Sequence, residues 1–259
     1  MTTHALSLDT LLTGHVFAFM LLLSRLGAVL MLFPGIGERY VPPRTRVIFA
    51  SLLCLLLVEP MVASMPPMPS APADFARLIV FEIAVGVFFG TLIRLTMSIL
   101  EAAGMIVGLQ TGLSNATMMN PALAVQSPLP SAFLSTAGLV LIFITGLDHF
   151  LIRTTVALYD QFPVGAPPML GDMTETIMRV ANKSFVMGIE LAAPFLILGL
   201  LLYAALGILQ RLLPNVQLFM VMLPLEIWGG LLMFSLTAAG ILTIWLNYLD
   251  QSVGSFFQN

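Results

Sequence analysis

Four glutamates, Glu82, Glu101, Glu190 and Glu226, stand inside otherwise apolar stretches of the chain. Carboxylates in such places can do two kinds of work. They can pass protons or ions along a buried path, or they can pair with cations such as Arg25 and Arg94 and fix the packing of an assembly. One acidic side chain at the centre of a membrane helix opposes insertion by about 2.5–3.5 kcal/mol. A surrounding run of Leu, Ile, Phe and Val, each contributing about 0.5 kcal/mol, outweighs it. Insertion is therefore permitted, but a lipid-facing position is not favoured. The four acids are expected to be buried against protein, a partner chain or water, and structural pairing is the preferred reading.

Other reactive groups are sparse. Only His4, His15 and His149 supply imidazoles, and no HExxH, G-x-S-x-G or phosphate-cradling loop occurs. Gly112-Leu113-Ser114 with the distant His149 can be stretched into an intramembrane serine protease, but Asn115 stands where a turn glycine would follow the nucleophile. The lone cysteine, Cys54, lies in an apolar run, so an intramolecular disulfide and a cysteine-based zinc site are excluded. It reads as a small buried hydrophobe. No catalytic residue, cofactor or metal is expected, and the chain is read as a non-enzyme.

Composition sets the frame that must position these groups. Of 259 residues, 59% are apolar and 9% charged, and the mean hydropathy is +1.01. Soluble chains carry about 25% charged residues, so a water-soluble enzyme is disfavoured and an all-α, multi-helix integral membrane protein is expected. A net charge of -3 and a pI near 5.5 give no electrostatic footprint for nucleic acid.

The first apolar run, Leu11 to Phe33, ends at Pro34-Gly35. No Lys or Arg precedes it and Arg25 interrupts it, so it reads as a retained segment rather than a signal peptide. Arg39, Arg44 and Arg46 make the following loop basic, which by the Lys/Arg rule favours the cytoplasmic side. A second run, Val47 to Ala63, is interrupted by Glu59-Pro60, and the proline-dense Met65 to Pro72 reads as an extended linker. Phe75 to Leu113 is too long for one simple span. Leu129 to Leu147 should stop at Asp148-His149, and Pro and Gly mark a loop from Asp160 to Gly171. Asp172 and Glu175 have capping-box spacing, predicting a short helix to Lys183. Phe185 to Leu209 and Val216 to Leu249 then read as an antiparallel helical hairpin. The last run would measure on the order of 50 Å against a hydrocarbon core of about 30 Å, so Pro224 and Gly229-Gly230 should kink it or part of it should lie outside lipid.

Two patterns bear on function. Gly86 and Gly90, then Gly104, Gly108 and Gly112, recur every four residues, so each set lines one helical face along which another backbone can come close. Ordinary packing within one chain and packing against a neighbouring subunit both fit this spacing. The run Gln110 to Pro121 carries no charge and includes Met118-Met119. It reads as a surface turn or, in a pore, as a reversible seal of adaptable methionines.

The segment Ala103 to Pro121, AGMIVGLQTGLSNATMMNP, resembles the signature of the FliR family of flagellar biosynthetic proteins and its counterparts in virulence type III secretion systems. Weaker similarities follow in order: Pro42 and Arg44, Asp148-His149, Phe162-Pro163-Val164-Gly165, and Leu206-Gly207-Ile208-Leu209-Gln210-Arg211 through Pro214 and Phe219 to Pro224. Met105 and Asn120 stand where family members often carry an acid, so no charged role is transferred to them. The resemblance implies an export-gate subunit in the bacterial inner membrane, within the flagellar basal body. It also implies long, Pro/Gly-broken helices assembled with FliP and FliQ, one copy of this chain, and contact with FlhB, FlhA and unfolded exported proteins. Residues 1–183 would be the FliP-like region and 184–259 the FliQ-like hairpin. The loop Ser114, Asn115, Ala116, Thr117, Met118, Met119 and Asn120 would plug the closed pore, with Gly104, Gly108 and Gly112 packing closely behind it. The alternative is a stand-alone ion-coupled transporter whose intramembrane glutamates relay protons.

Overall fold

The structure, a computed structural model, describes residues 8–38, 40–114, 128–212 and 218–255. Among these there are seven α-helices and one short 3-10 turn, Val62–Ser64, and no strand. In chain order the helices are α1 (Leu8–Leu32), α2 (Pro43–Met61), α3 (Pro72–Gln110), α4 (Leu129–Ile144), α5 (Leu147–Gln161), α6 (Leu170–Leu212) and α7 (Leu218–Ser255). Five of them are long and apolar enough to cross a membrane, and α4 with α5 passes the same test only as a broken pair. The all-α membrane architecture expected from composition is present.

Boundaries follow local chemistry, with four corrections. Helix α2 starts at Pro43 rather than Val47, because Pro42 is extended (φ -58, ψ 140) and a proline at the first helical position lacks only an amide that would be unpaired anyway. It also runs through Glu59-Pro60 to Met61. Asp148 does not end an apolar run: α4 stops before Gly146, whose φ of +73 suits glycine, and Asp148 sits in the first turn of α5, where an acid complements the helix dipole. The short helix from Asp172 and the apolar run from Phe185 are one 43-residue helix, α6. Its polar first part is held by good helix formers and by a Glu175–Arg179 pair at 2.8 Å, so the change in hydropathy marks no break. Helix α7 likewise continues through Pro224 and Gly229-Gly230 for 38 residues.

The chain forms two compact units, residues 1–94 with 149–179, and residues 95–148 with 180–259. In the first, α1 and α2 form a hairpin whose core is Ala18, Leu22, Leu26, Cys54 and Val58, closed by Tyr159. Between these helices Arg46 donates to the carbonyls of Val41 (3.1 Å) and Glu38, and Arg94 pairs with the Glu38 carboxylate at 3.0 Å. One of the loop's cations, Arg46, is thus tied to the structure; Arg39 lies outside the described residues.

The second unit contains the antiparallel hairpin. Lys183 lies over the Tyr248 ring at 5.1 Å, Phe195 packs on Phe234 at 6.4 Å, and the Tyr203 hydroxyl donates to Glu226 at 3.0 Å. As numbering rises along α6 it falls along α7 in near-constant register. Trp245 is wholly buried in this unit, and its indole N–H donates to the Thr96 carbonyl at 2.8 Å. Gly138 leaves the room: a Cβ there would stand 3.3 Å from the Trp245 ring. Trp245→Ala should lower stability by about 3–5 kcal/mol through the cavity it leaves. A thermal melt of the detergent-solubilised chain checks this, with Ile244→Ala at an exposed position as the nearly neutral control.

Candidate functional site

In the first unit the deepest polar feature is a pair joining α1 to α3. Arg25 and Glu82 are each 1% exposed. The Arg25 guanidinium donates to both carboxylate oxygens, Nε to Oε2 at 2.7 Å and Nη2 to Oε1 at 3.1 Å. Nη2 also donates to the Phe162 carbonyl at 2.8 Å and Nη1 to that of Leu158 at 3.5 Å, while the guanidinium lies 3.9 Å from the Tyr159 ring centroid. This two-pronged, charge-assisted geometry is the one in which a buried ion pair recovers its desolvation. Gly86, one turn beyond Glu82 on α3, makes the approach possible, since a Cβ there would stand 2.8 Å from the Ala28 Cβ. Beside the pair lies a cavity of about 380 Å³, lined among others by Phe81, Phe88, Phe162 and Met173.

The second unit holds the motif helix and the start of the expected plug. The face of α3 bearing Gly104 and Gly108 is closed by the N-terminus of this chain's own α4. A Cβ on Gly104 would stand 2.6 Å from the Ser131 amide nitrogen and 3.0 Å from the Pro130 carbonyl carbon. One on Gly108 would stand 2.7 Å from Pro128 Cβ, and Ser131 Oγ donates to the Glu101 carbonyl at 3.0 Å. The partner across Gly104 and Gly108 is therefore intramolecular, the within-chain alternative of the two that their spacing left open.

Gly112 does different work. It has φ +68 and ends α3: its N–H donates to the Leu109 carbonyl (3.4 Å), and the Ser114 N–H donates to that of Gly108 (3.1 Å). The Glu226 carboxylate packs on this turn, 3.3 Å from where a Gly112 Cβ would be. Glu226 is 6% exposed and accepts from Tyr203 through its other oxygen. The buried Ser114 is the last described residue before the loop; Asn115, Ala116, Thr117, Met118, Met119 and Asn120 lie outside the described residues.

The four acids thus divide. Glu82 and Glu226 are buried by this chain, the first with a cation and the second with a phenol. Glu101 and Glu190 are exposed on it, so this chain leaves these two to a partner chain or water, the other surroundings expected for the acids. Helix periodicity places an acid on a face but does not say which face the chain covers. Arg94, offered as a partner for these acids, pairs with Glu38 instead. Tyr159 and Tyr203 escaped the sequence reading, since a single tyrosine in an apolar helix carries no spacing signal. Among the described residues no cluster of His, Cys, Asp or Glu is arranged to hold a metal ion.

A polytopic helical membrane protein with internally paired acids and a glycine-lined motif helix is the class defined by this geometry. Residues 16–252 match the bacterial export proteins, family 1. The chain is similar to the flagellar biosynthetic protein FliR of Caulobacter vibrioides, 34% identical over 242 residues, 93% of this chain and 96% of that protein. FliR of Escherichia coli is 30% identical over 210 residues, 81% and 79% of the two chains. The Yop proteins translocation protein T of Yersinia pestis is 28% identical over 174 residues, 66% of each. The chain belongs to bacterial export family 1, the family of FliR, and is a component of type III protein export.

Two outcomes follow from the site. Arg25→Ala should destabilise by about 3–5 kcal/mol by stranding the Glu82 charge, whereas Arg25→Met with Glu82→Leu should lose much less; thermal melts of both variants, extracted in parallel, read the difference. Gly104→Ala, forced against backbone, should lose about 1–3 kcal/mol. Gly240→Ala, with no atom within 4 Å of the new Cβ, should be neutral or slightly stabilising on the same melts.

Proposed function

We propose that the chain is a subunit of the flagellar export gate, forming with FliP and FliQ the pore through which unfolded substrates leave the cell, without chemistry of its own. It works in the inner membrane at the base of the flagellum, as one copy in a helical assembly that meets FlhB and FlhA. Residues 1–183 take the FliP-like place and 184–259 the FliQ-like one.

The observation that carries this reading is a mismatch of length. Helices α3, α6 and α7 have 39, 43 and 38 residues. At 1.5 Å per residue they extend about 57–65 Å, roughly twice a hydrocarbon core of about 30 Å. The apolar part of α7 alone exceeds that core, yet the chain buries only 11% of an 18-residue apolar stretch within it. Apolar surface beyond the lipid needs protein against it, which a multi-subunit gate supplies and a solitary transporter does not. The same membership in an export family favours the gate.

The plug is assigned to residues 114–120. The firm end of α3 at Gly112, pinned by Glu226 and by the α4 N-terminus, gives this uncharged loop a rigid base. A seal without charge binds no exported side chain tightly, and its methionines can fill irregular gaps. Deleting Asn115 to Met119 should make membranes holding the whole complex leak small ions at least several-fold faster than wild type. Conductance equal to wild type in that deletion removes the plug assignment.

A further inference from the structure

We infer that the outward face of α6 around Glu190 is a docking surface for a neighbouring membrane helix that presents an arginine or lysine to it. Val186, Glu190, Pro194, Ile197 and Leu201 fall on one stripe of α6, and all are exposed. Ile197 is 61% and Leu201 63% exposed, so the stripe is an apolar ridge with one carboxylate set into it. Among the described residues no cation or donor reaches the Glu190 side chain, and the nearby Lys183 is engaged over the Tyr248 ring.

A second acceptor sits at the same place. In an α-helix the Glu190 carbonyl takes the amide of residue 194, and residue 194 is a proline inside α6, with no N–H to give. The carboxylate and the freed carbonyl form a patch that only accepts. In surroundings without water such a patch must be met by donors, and by positive charge. A guanidinium fits best, because its planar fork can serve both carboxylate oxygens and still reach a carbonyl; an ammonium with three donors comes next. The Arg25–Glu82 pair shows this chain solving the same problem internally, with one guanidinium shared between a carboxylate and backbone carbonyls. Around the patch the ridge supplies apolar surface for the rest of the incoming helix.

This inference rests on the multi-subunit reading above, and its test separates the two. The full chain is expressed with the rest of the export complex, carrying a photoreactive benzophenone side chain at Ile197, and the complex is recovered after irradiation. The expected product is a cross-link to another membrane polypeptide, on a helix with Arg or Lys within one turn of the linked residue. Glu190→Arg should reduce recovered complex at least tenfold, and replacing that basic residue by Glu should restore it. A cross-link only to phospholipid, or to a second copy of this chain, overturns the inference, as does wild-type recovery of complex with Glu190→Arg. The cross-link leaves Glu190 unaltered, so it decides the matter even if the charge reversal prevents folding. Wild-type chain recovered with other membrane proteins but linked only to lipid defeats this inference alone; wild-type chain recovered without any other membrane protein defeats the gate reading with it.

Discussion

A hydrocarbon layer about 30 Å thick can hide only about 20 residues of a perpendicular helix, and the long helices of this chain approach or exceed twice that length. Most of the chain's other properties follow from that excess. Apolar side chains that lipid does not reach must find protein, and α6 and α7 leave large hydrophobic faces uncovered by their own chain, such as Ile197, Leu200 and Leu201, or Leu232 and Leu236. Isolated exposed hydrophobes need no explanation, but continuous faces of this kind mark surfaces meant to be covered.

Polar groups inside such a chain obey the same constraint from the other direction. Where the chain can satisfy an acid itself, it does so closely: Glu82 is gripped by Arg25, and Glu226 is held by Tyr203 against the end of α3. Both arrangements need backbones to come near one another, and glycine supplies the room, Gly86 beneath the ion pair and Gly112 with its positive φ beneath Glu226. The glycines and the acids are therefore two halves of one device. A buried charge demands several short contacts, and short contacts demand missing side chains. Gly104 and Gly108 extend the device by seating the α4 N-terminus, so the base of the 115–127 segment is framed on both sides by this chain's own helices.

Much of this was legible in the residues. The apolar runs predicted α1, α2, α3, α7 and the apolar part of α6, the hairpin of α6 and α7 was readable from two runs around Pro214-Asn215, and four-residue glycine spacing predicted close packing. Arg25 was a candidate partner for an acid because it interrupts an apolar run, as Glu82 does. What remained hidden depends on three-dimensional neighbours. The continuity of α6 through Lys183 was masked by a change of polarity that affects which surroundings a helix meets and not whether it is a helix. Pro194 and Pro224 likewise removed single hydrogen bonds without ending α6 or α7. The split between the inward Glu82 and Glu226 and the outward Glu101 and Glu190 had no signature, since all four look alike within their windows.

Spin labels placed singly at Trp228, Leu232 and Leu236 along the exposed face of α7, in the assembled complex within its membrane, test the central claim most directly. Neighbouring protein over this face gives low collision rates with both lipid-dissolved oxygen and an aqueous paramagnetic reagent at all three positions. Oxygen collision rates that are high and follow depth in the bilayer, as on a helix bathed in acyl chains, contradict the account.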